Sequence, residues 1–225
     1  MNQSGLKINE TKKQTSRVMQ KSIVAEENTL QESLLSNGYS INIKRQKQLV
    51  VGCRIPRRFF WTSGVGESDI TVHAGSYHLA LKEAGIERYN IMVYSSIMPG
   101  IAEESSKPSA QEIPHGSVME TIMAVSSGEK DKRLTAGIVY GWLYHKLTGK
   151  KYGGLVCEYS GHESDEDARK ELKASLRELY TNGFSEDFDL KDIRMETRSF
   201  VPKKRFGTAM VVIGFKDYVY PIVQE

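Results

Sequence analysis

The sequence has few of the features that mark secreted, metal-binding or membrane proteins. Its 225 residues include only two cysteines, Cys53 and Cys157, which are far apart, so neither a disulfide framework nor a zinc site is expected. The five histidines also occur singly, without metal-ligand spacing. The N-terminus lacks a signal-peptide core, and no run approaches the roughly 20 apolar residues that a membrane span needs. We therefore expect a cytoplasmic protein with no metal ion and no membrane partner.

Positive charge is unevenly distributed along the chain. Residues 1–58 hold 11 Lys or Arg against 4 Asp or Glu, whereas residues 59–225 hold 20 against 24. The clustered cations of the first segment have no aromatic residues interleaved among them, which argues against a nucleic-acid partner. A solvated extension is the simpler interpretation. We predict a basic, flexible extension over residues 1–56 and a single domain over residues 57–225.

Apolar periodicity predicts an α+β domain of mostly antiparallel strands with two amphipathic helices. The strands are expected over residues 57–63, 90–98, 118–125, 135–144, 154–159, 193–201 and 208–215. One helix is expected over residues 76–84 and ends at Gly85, and another is capped by Ser164 and stops at Gly183. The glycines of residues 64–69 predict a turn, and residues 99–116 a long polar loop.

The chemically informative segment is a Ser-Ser pair at residues 95–96. A serine hydroxyl can attack the carbonyl before it and replace the amide with an ester, and β-elimination then frees the upstream chain end. The dehydroalanine that remains hydrolyses to a pyruvoyl group. The chain has two other Ser-Ser pairs, at residues 105–106 and 126–127. Only the first lies between an apolar strand and a proline, in the segment Ala-Gly-Ile-Glu-Arg-Tyr-Asn-Ile-Met-Val-Tyr-Ser-Ser-Ile-Met-Pro of residues 84–99.

This segment resembles the pyruvoyl-dependent arginine decarboxylases, whose proenzyme carries Ala-Gly-Ile, a downstream Asn, and Ser-Ser followed by apolar residues and Pro. The resemblance implies that the bond between Ser95 and Ser96 is cleaved and that Ser96 becomes the covalent pyruvoyl cofactor. It covers about residues 58–216. Gly-Val-Gly-Glu-Ser-Asp at residues 64–69 and His-Gly-Ser-Val-Met-Glu at residues 115–120 are similar to motifs of the bacterial branch.

The resemblance also implies roles for residues outside the cleavage site. Glu158 would donate a proton to the α-carbon of the substrate, although by itself it is typical of an edge-strand carboxylate. Asn90 would donate hydrogen bonds to a developing oxyanion or to the pyruvoyl group. Ile97, Met98 and Leu81 would surround the substrate carboxylate with apolar groups.

One position departs from the archaeal members of the family, which place an aspartate near the substrate where this chain has His78. A guanidinium needs a bidentate acidic partner in a partly desolvated pocket. Glu67, Asp69 and Glu120 are the alternative candidates for substrate binding. Each is equally well explained as an ordinary turn or strand carboxylate.

The resemblance implies an αββα sandwich of stacked antiparallel sheets and helices, self-cleaved into two chains. It further implies a homotrimer, or a dimer of trimers, with active sites between neighbours. The expected reaction converts L-arginine to agmatine and carbon dioxide through an imine with the pyruvoyl group. Two alternatives stay open: decarboxylation of histidine or lysine by the same chemistry, and an unprocessed, non-catalytic oligomeric binding protein of the same fold.

Overall fold

The protein is described by a computed structural model that covers residues 51–109 and 112–222. Most of the predicted N-terminal extension, residues 1–50, lies outside the described residues. The strands are β1 (Ile55–Ser68), β2 (Asn90–Val93), β3 (Ile97–Pro99), β4 (Glu103–Glu104), β5 (Val118–Glu129), β6 (Leu134–His145), β7 (Lys151–Gly161), β8 (Phe188–Phe200) and β9 (Phe206–Val219). The helices are α1 (His78–Ala84), which continues a π-helical turn at Val72–Tyr77, and α2 (Asp165–Gly183).

Two sheets pack face to face, and each carries a helix on its outer face. One sheet has the strand order β2-β5-β9-β1-β4 and the other β3-β7-β6-β8. The apolar core between them includes Phe59, Ile122 and Ile213 from the first sheet and Leu134 and Ile138 from the second. The class is α+β, as predicted. Not all strand pairs are antiparallel, because β2 runs parallel to β5 and β4 runs parallel to β1.

The helix α1 covers the five-stranded sheet. Ala80, Leu81 and Ala84 are buried against Phe60 and other residues of this sheet, which confirms the predicted apolar face. The helix ends where it was predicted to end, because Gly85 adopts the left-handed conformation with φ 71° that closes a helix.

The helix α2 covers the four-stranded sheet with Ala168, Leu172 and Leu176. Its predicted cap is confirmed, since Ser164 Oγ accepts a hydrogen bond of 3.1 Å from Asp167 N. Within residues 51–109 and 112–222, no helix is long and apolar enough to cross a membrane.

The predicted turn at residues 64–69 is wrong, because β1 continues through Ser68. Its glycines serve a close approach between the strand and the helical layer. A Cβ atom at Gly64 would lie 2.2 Å from the Ala80 carbonyl oxygen, and one at Gly66 would lie 2.1 Å from the Ser76 carbonyl oxygen. Glycine within a strand often marks such an approach rather than a turn.

The strand predicted over residues 90–98 is two strands that belong to different sheets. β2 pairs with β5, whereas β3 pairs with β7. Residues 94–96, here called the crossing segment, pass from one sheet to the other. Tyr94 N donates to Thr121 O at 2.7 Å, and Ser96 O accepts from Val156 N at 3.1 Å. The crossing segment therefore contains the peptide bond that was predicted to be cleaved.

The residues just before β1 are attached to the end of β9. Gly52 N donates to Pro221 O at 2.7 Å, and Val51 forms an isolated β-bridge with Ile222. Ordered main-chain contacts thus begin a few residues before the predicted start of the domain.

Candidate active site

The Ser96 hydroxyl donates a hydrogen bond to the Glu158 carboxylate. Ser96 Oγ is 2.7 Å from Oε1 and 2.7 Å from Oε2 of Glu158. A hydrogen bond from a hydroxyl to a carboxylate is charge-assisted and strong. The two residues are 62 positions apart in the sequence, and both were named from the family resemblance. The fold brings this part of the predicted site together.

Glu158 reaches Ser96 because of the alternation of side chains along β7. Val156 faces the core between the sheets, and Cys157 packs with the residues under α2. Glu158, two residues after Val156, points to the same side as Val156. Burial, followed by the negative charge of Glu158, raises the pKa of the Cys157 thiol to about 11.

The carbonyl groups on both sides of Ser96 accept main-chain hydrogen bonds. Ser95 O accepts from Ile97 N at 2.8 Å, and Ser96 O accepts from Val156 N at 3.1 Å. The Ser95 side is exposed, whereas Ser96 is half-buried. The bond predicted to be cleaved is therefore held in a defined conformation at the surface of the protomer.

Asn90 lies at the other end of β2 from the crossing segment. Its Nδ2 donates to Gly116 O at 2.7 Å. An extended strand rises about 3.3 Å per residue, so Asn90 is roughly 13 Å along the strand from Tyr94. Among the described residues, the hydrogen bonds of Asn90 do not include Ser95 or Ser96. Its role in the site stays a prediction.

Two of the candidate substrate carboxylates bind main-chain groups of the turn between β8 and β9. Glu67 Oε2 accepts from Lys203 N at 2.7 Å and from Lys204 N at 3.0 Å. Asp69 Oδ1 accepts from Arg205 N at 3.2 Å. These contacts fasten the end of β1 to that turn.

The third candidate, Glu120, already holds a guanidinium. Its side chain is 2% exposed and forms an ion pair with Arg54, whose Nε lies 3.1 Å from Oε2. Hydrogen bonding to Tyr94 raises the pKa of Arg54, and the Arg54 guanidinium lies 5.5 Å from the centre of the Tyr218 ring. Arg54 thus lies between Glu120 and the Tyr218 ring.

The apolar candidates lie in different environments. Leu81 is buried on the inner face of α1, and Met98 is fully buried between the sheets, whereas Ile97 is 59% exposed. His78 is exposed on α1. Ile97 is next to Ser96 in the chain, and the described contacts of Leu81 are with the core under α1.

The chain matches the family model described as pyruvoyl-dependent arginine decarboxylase over residues 58–220. It is 28% identical over 188 residues to pyruvoyl-dependent arginine decarboxylase AaxB of Chlamydia abortus, and the match covers 74% of this chain and 94% of that protein. It is 31% identical over 134 residues to pyruvoyl-dependent arginine decarboxylase 1 of Methanosarcina acetivorans, with 57% and 78% of the two chains covered.

The family model matches most of this chain, which folds as an α+β sandwich with a serine hydroxyl on a carboxylate. The protein is therefore a lyase that depends on a covalently bound pyruvoyl group. More particularly, the chain belongs to the pyruvoyl-dependent arginine decarboxylase family.

Proposed function

We propose that this protein cleaves itself between Ser95 and Ser96 and then converts L-arginine to agmatine and carbon dioxide. The observation that carries the proposal is the contact of Ser96 Oγ with both oxygens of Glu158, 2.7 Å each. This contact supports the proposal, because the cleavage chemistry needs a proton acceptor next to that hydroxyl. The names of the relatives, all arginine decarboxylases, support arginine as the substrate.

Glu158 has a role in self-cleavage. It accepts the hydroxyl proton as Ser96 Oγ bonds to the Ser95 carbonyl carbon, which turns the amide into an ester. Elimination of that ester requires removal of the Ser96 α-proton and frees Ser95 as a carboxylate. Since Ser95 is exposed, the new chain end has space to leave.

Glu158 has a second role in decarboxylation. The pyruvoyl group, when formed, supplies a carbonyl that acts as an electron sink for the electron pair left on the α-carbon as carbon dioxide departs. Glu158, as the neighbour of Ser96, is placed to hold a proton and deliver it to the α-carbon after carbon dioxide has left. Such proton transfer typically accelerates a reaction by about 10² to 10⁴-fold.

A second copy of the chain covers the site in the proposed homotrimer. Large apolar side chains on either side of the crossing segment are exposed in one protomer: Met92 by 50%, Val93 by 63% and Ile97 by 59%. β2 is also an edge strand. Decarboxylation is favoured where water is excluded from the substrate carboxylate, and Glu158 is exposed in one protomer. Covering this surface would bury both the apolar side chains and the site.

The neighbouring copy is also the proposed source of the acidic group that binds the substrate guanidinium. Glu67, Asp69 and Glu120 are each bound by groups of their own protomer. The cleft beside Glu67 is lined by three lysines, Lys82, Lys203 and Lys204, against two carboxylates, Glu67 and Glu83, so its charge does not favour a guanidinium.

The test of the proposed function is the intact mass of the purified protein together with product analysis. We expect fragments of residues 1–95 and 96–225, the second with a ketone that reacts with borohydride, and faster decarboxylation of arginine than of lysine or histidine. An intact but active chain contradicts the pyruvoyl mechanism. Cleaved protein that prefers lysine or histidine contradicts only the substrate assignment.

The test of the covering surface is Val93→Asp, which places a charge in the apolar patch. We expect it to lower the mass measured by analytical ultracentrifugation to that of the protomer and to reduce decarboxylation. Leu147→Asp is the matched control, because Leu147 is 91% exposed on the turn between β6 and β7. Equal effects of both variants, or none of either, would contradict the assignment of this surface.

A further inference from the structure

The carbonyl of the cleaved bond lies inside a three-residue turn. The 2.8 Å hydrogen bond from Ile97 N to Ser95 O spans two residues and has Ser96 at its centre, which defines a γ-turn. Among the described residues other than glycine, positive φ values occur only at Asp131 and Asp192. The turn at Ser96 is therefore of the inverse type, which is the low-energy form.

The first step of self-cleavage develops negative charge on the oxygen that this turn holds. As Ser96 Oγ bonds to the Ser95 carbonyl carbon, the carbonyl electron pair moves onto Ser95 O, and the hydroxyl proton passes to Glu158. Collapse of the adduct restores the carbonyl, breaks the carbon–nitrogen bond and protonates the amine of Ser96. The step consumes no oxidant or reductant, because an amide has become an ester.

We propose that the main-chain N–H of Ile97 is a catalytic donor in this step and stabilises the oxyanion on Ser95 O. The inference rests on the self-cleavage proposed above and adds a group to it. The donor already lies 2.8 Å from the oxygen that gains the charge, so no reorganisation is needed during the reaction. Fixed donors of this kind are worth about 10² to 10³-fold in rate each.

Two further contacts keep the donor in place. Val156 N holds Ser96 O at 3.1 Å, which restrains the peptide group that carries the Ile97 N–H. On the other side, Tyr94 N is bonded to Thr121 O at 2.7 Å. The turn is thus attached to one sheet before Ser96 and to the other sheet at Ser96. The described side-chain hydrogen bond of Asn90, the predicted side-chain donor, goes to Gly116 O.

The experiment replaces the Ile97 amide with an ester by incorporation of the α-hydroxy analogue of isoleucine, which deletes the N–H and keeps the side chain. The matched control is the α-hydroxy analogue of tyrosine at position 94, which deletes the N–H bonded to Thr121 O. We expect cleavage at Ser95 to slow by about 100-fold or more for the first protein and by less than about fivefold for the second.

Hydroxylamine separates ester formation from the later elimination. It captures the Ser95 ester as a hydroxamate, which mass spectrometry distinguishes from cleavage at the introduced ester. If the Ile97 N–H acts on the oxyanion, hydroxamate formation slows together with cleavage. An unchanged rate for the position 97 ester, or equal losses at positions 94 and 97, overturns the inference. A parent protein that neither cleaves nor forms the hydroxamate overturns the proposed function as well.

Discussion

Two Ser-Ser pairs of this protein lie in the sandwich in different surroundings. Ser126 and Ser127 are both inside β5 and pair with β9. Ser126 Oγ donates to Gly161 O at 2.8 Å, and Ser127 Oγ lies 2.9 Å from Thr208 Oγ1. Neither hydroxyl has a carboxylate to accept its proton in these contacts. At residues 95–96 the same dipeptide combines a carboxylate on the second hydroxyl, a turn and an exposed upstream residue.

The three Ser-Ser pairs therefore differ in the partners of their hydroxyl groups, and the proposed function predicts that only the pair at residues 95–96 reacts. The third pair makes the same point in a loop: Ser105 Oγ donates to Phe59 O at 3.3 Å, and Ser106 O accepts from Lys216 Nζ at 3.3 Å. If the proposed mechanism is correct, this pair stays intact, because its described hydrogen bonds include no carboxylate that accepts the hydroxyl proton.

The largest effect is expected from Ser96→Ala. It removes the attacking hydroxyl and the atoms that would become the ketone, so both cleavage and decarboxylation should be lost. Ser127→Ala is the matched control and should cleave at the parent rate, with a loss of about 1 kcal/mol in unfolding free energy. Denaturing electrophoresis and intact mass measure cleavage. Fragments from the Ser96→Ala protein would contradict the distinction between the two pairs.

The next effect is expected from Glu158→Gln, which removes the base. Decarboxylation by any cleaved protein should fall by about 10² to 10⁴-fold, and self-cleavage should slow. Glu196→Gln is a control in mirror position, because Ile138 pairs with Glu158 on one side and with Glu196 on the other. Equal activity losses in both variants would indicate a structural effect on β6. Single-turnover assays and timed cleavage separate the two reactions.

A smaller effect tests which way the β7 side chains face. Because burial raises the pKa of Cys157 to about 11, its thiolate fraction at pH 8 is about 1 in 1000, against roughly 1 in 4 for an ordinary thiol. Alkylation of Cys157 should be at least about 100-fold slower in the folded than in the denatured protein. The rate should rise about tenfold per pH unit up to roughly pH 11. Peptide mass mapping after labelling measures this rate. Fast labelling of Cys157 at pH 8 would contradict its burial under α2.

The smallest effect concerns the support of the crossing segment. Arg54→Met leaves the buried Glu120 carboxylate without its guanidinium. We expect the melting temperature to fall by several degrees and cleavage to slow. Arg169→Met, which removes a surface partner of Asp165, should leave the melting temperature nearly unchanged. Calorimetry that finds equal losses would contradict a special role for Arg54.

Much of this fold and part of the site are predictable from local sequence signals. Ser164 and Gly85 end helices by mechanisms that depend on adjacent residues. Ser96 and Glu158 were both identified through motifs, and they are in contact. These features depend on residue type at a given position, which a single sequence displays directly.

The remaining features depend on distant partners or on main-chain groups. The sequence carries no local signal for the break between β2 and β3. Both strands have exposed apolar residues, and only residues 94–96 separate them. Arg54 pairs with Glu120 across 66 positions, and nothing near either residue indicates the other. The Ile97 N–H is a donor that almost any residue would supply, so residue identity cannot reveal it.

The position of β1 determines whether the protein can refold after cleavage. β1 pairs with β9 from Ile55 to Ser68 and also with β4, so the proposed cut would leave a strand of the shorter fragment between two strands of the longer one. Before the cut, these strands meet at the high effective concentration of a single chain; afterwards, they could meet again only as separate molecules. We would then expect the intact proenzyme to be the form that folds efficiently. The mature enzyme would keep the native structure as long as its two fragments stay associated.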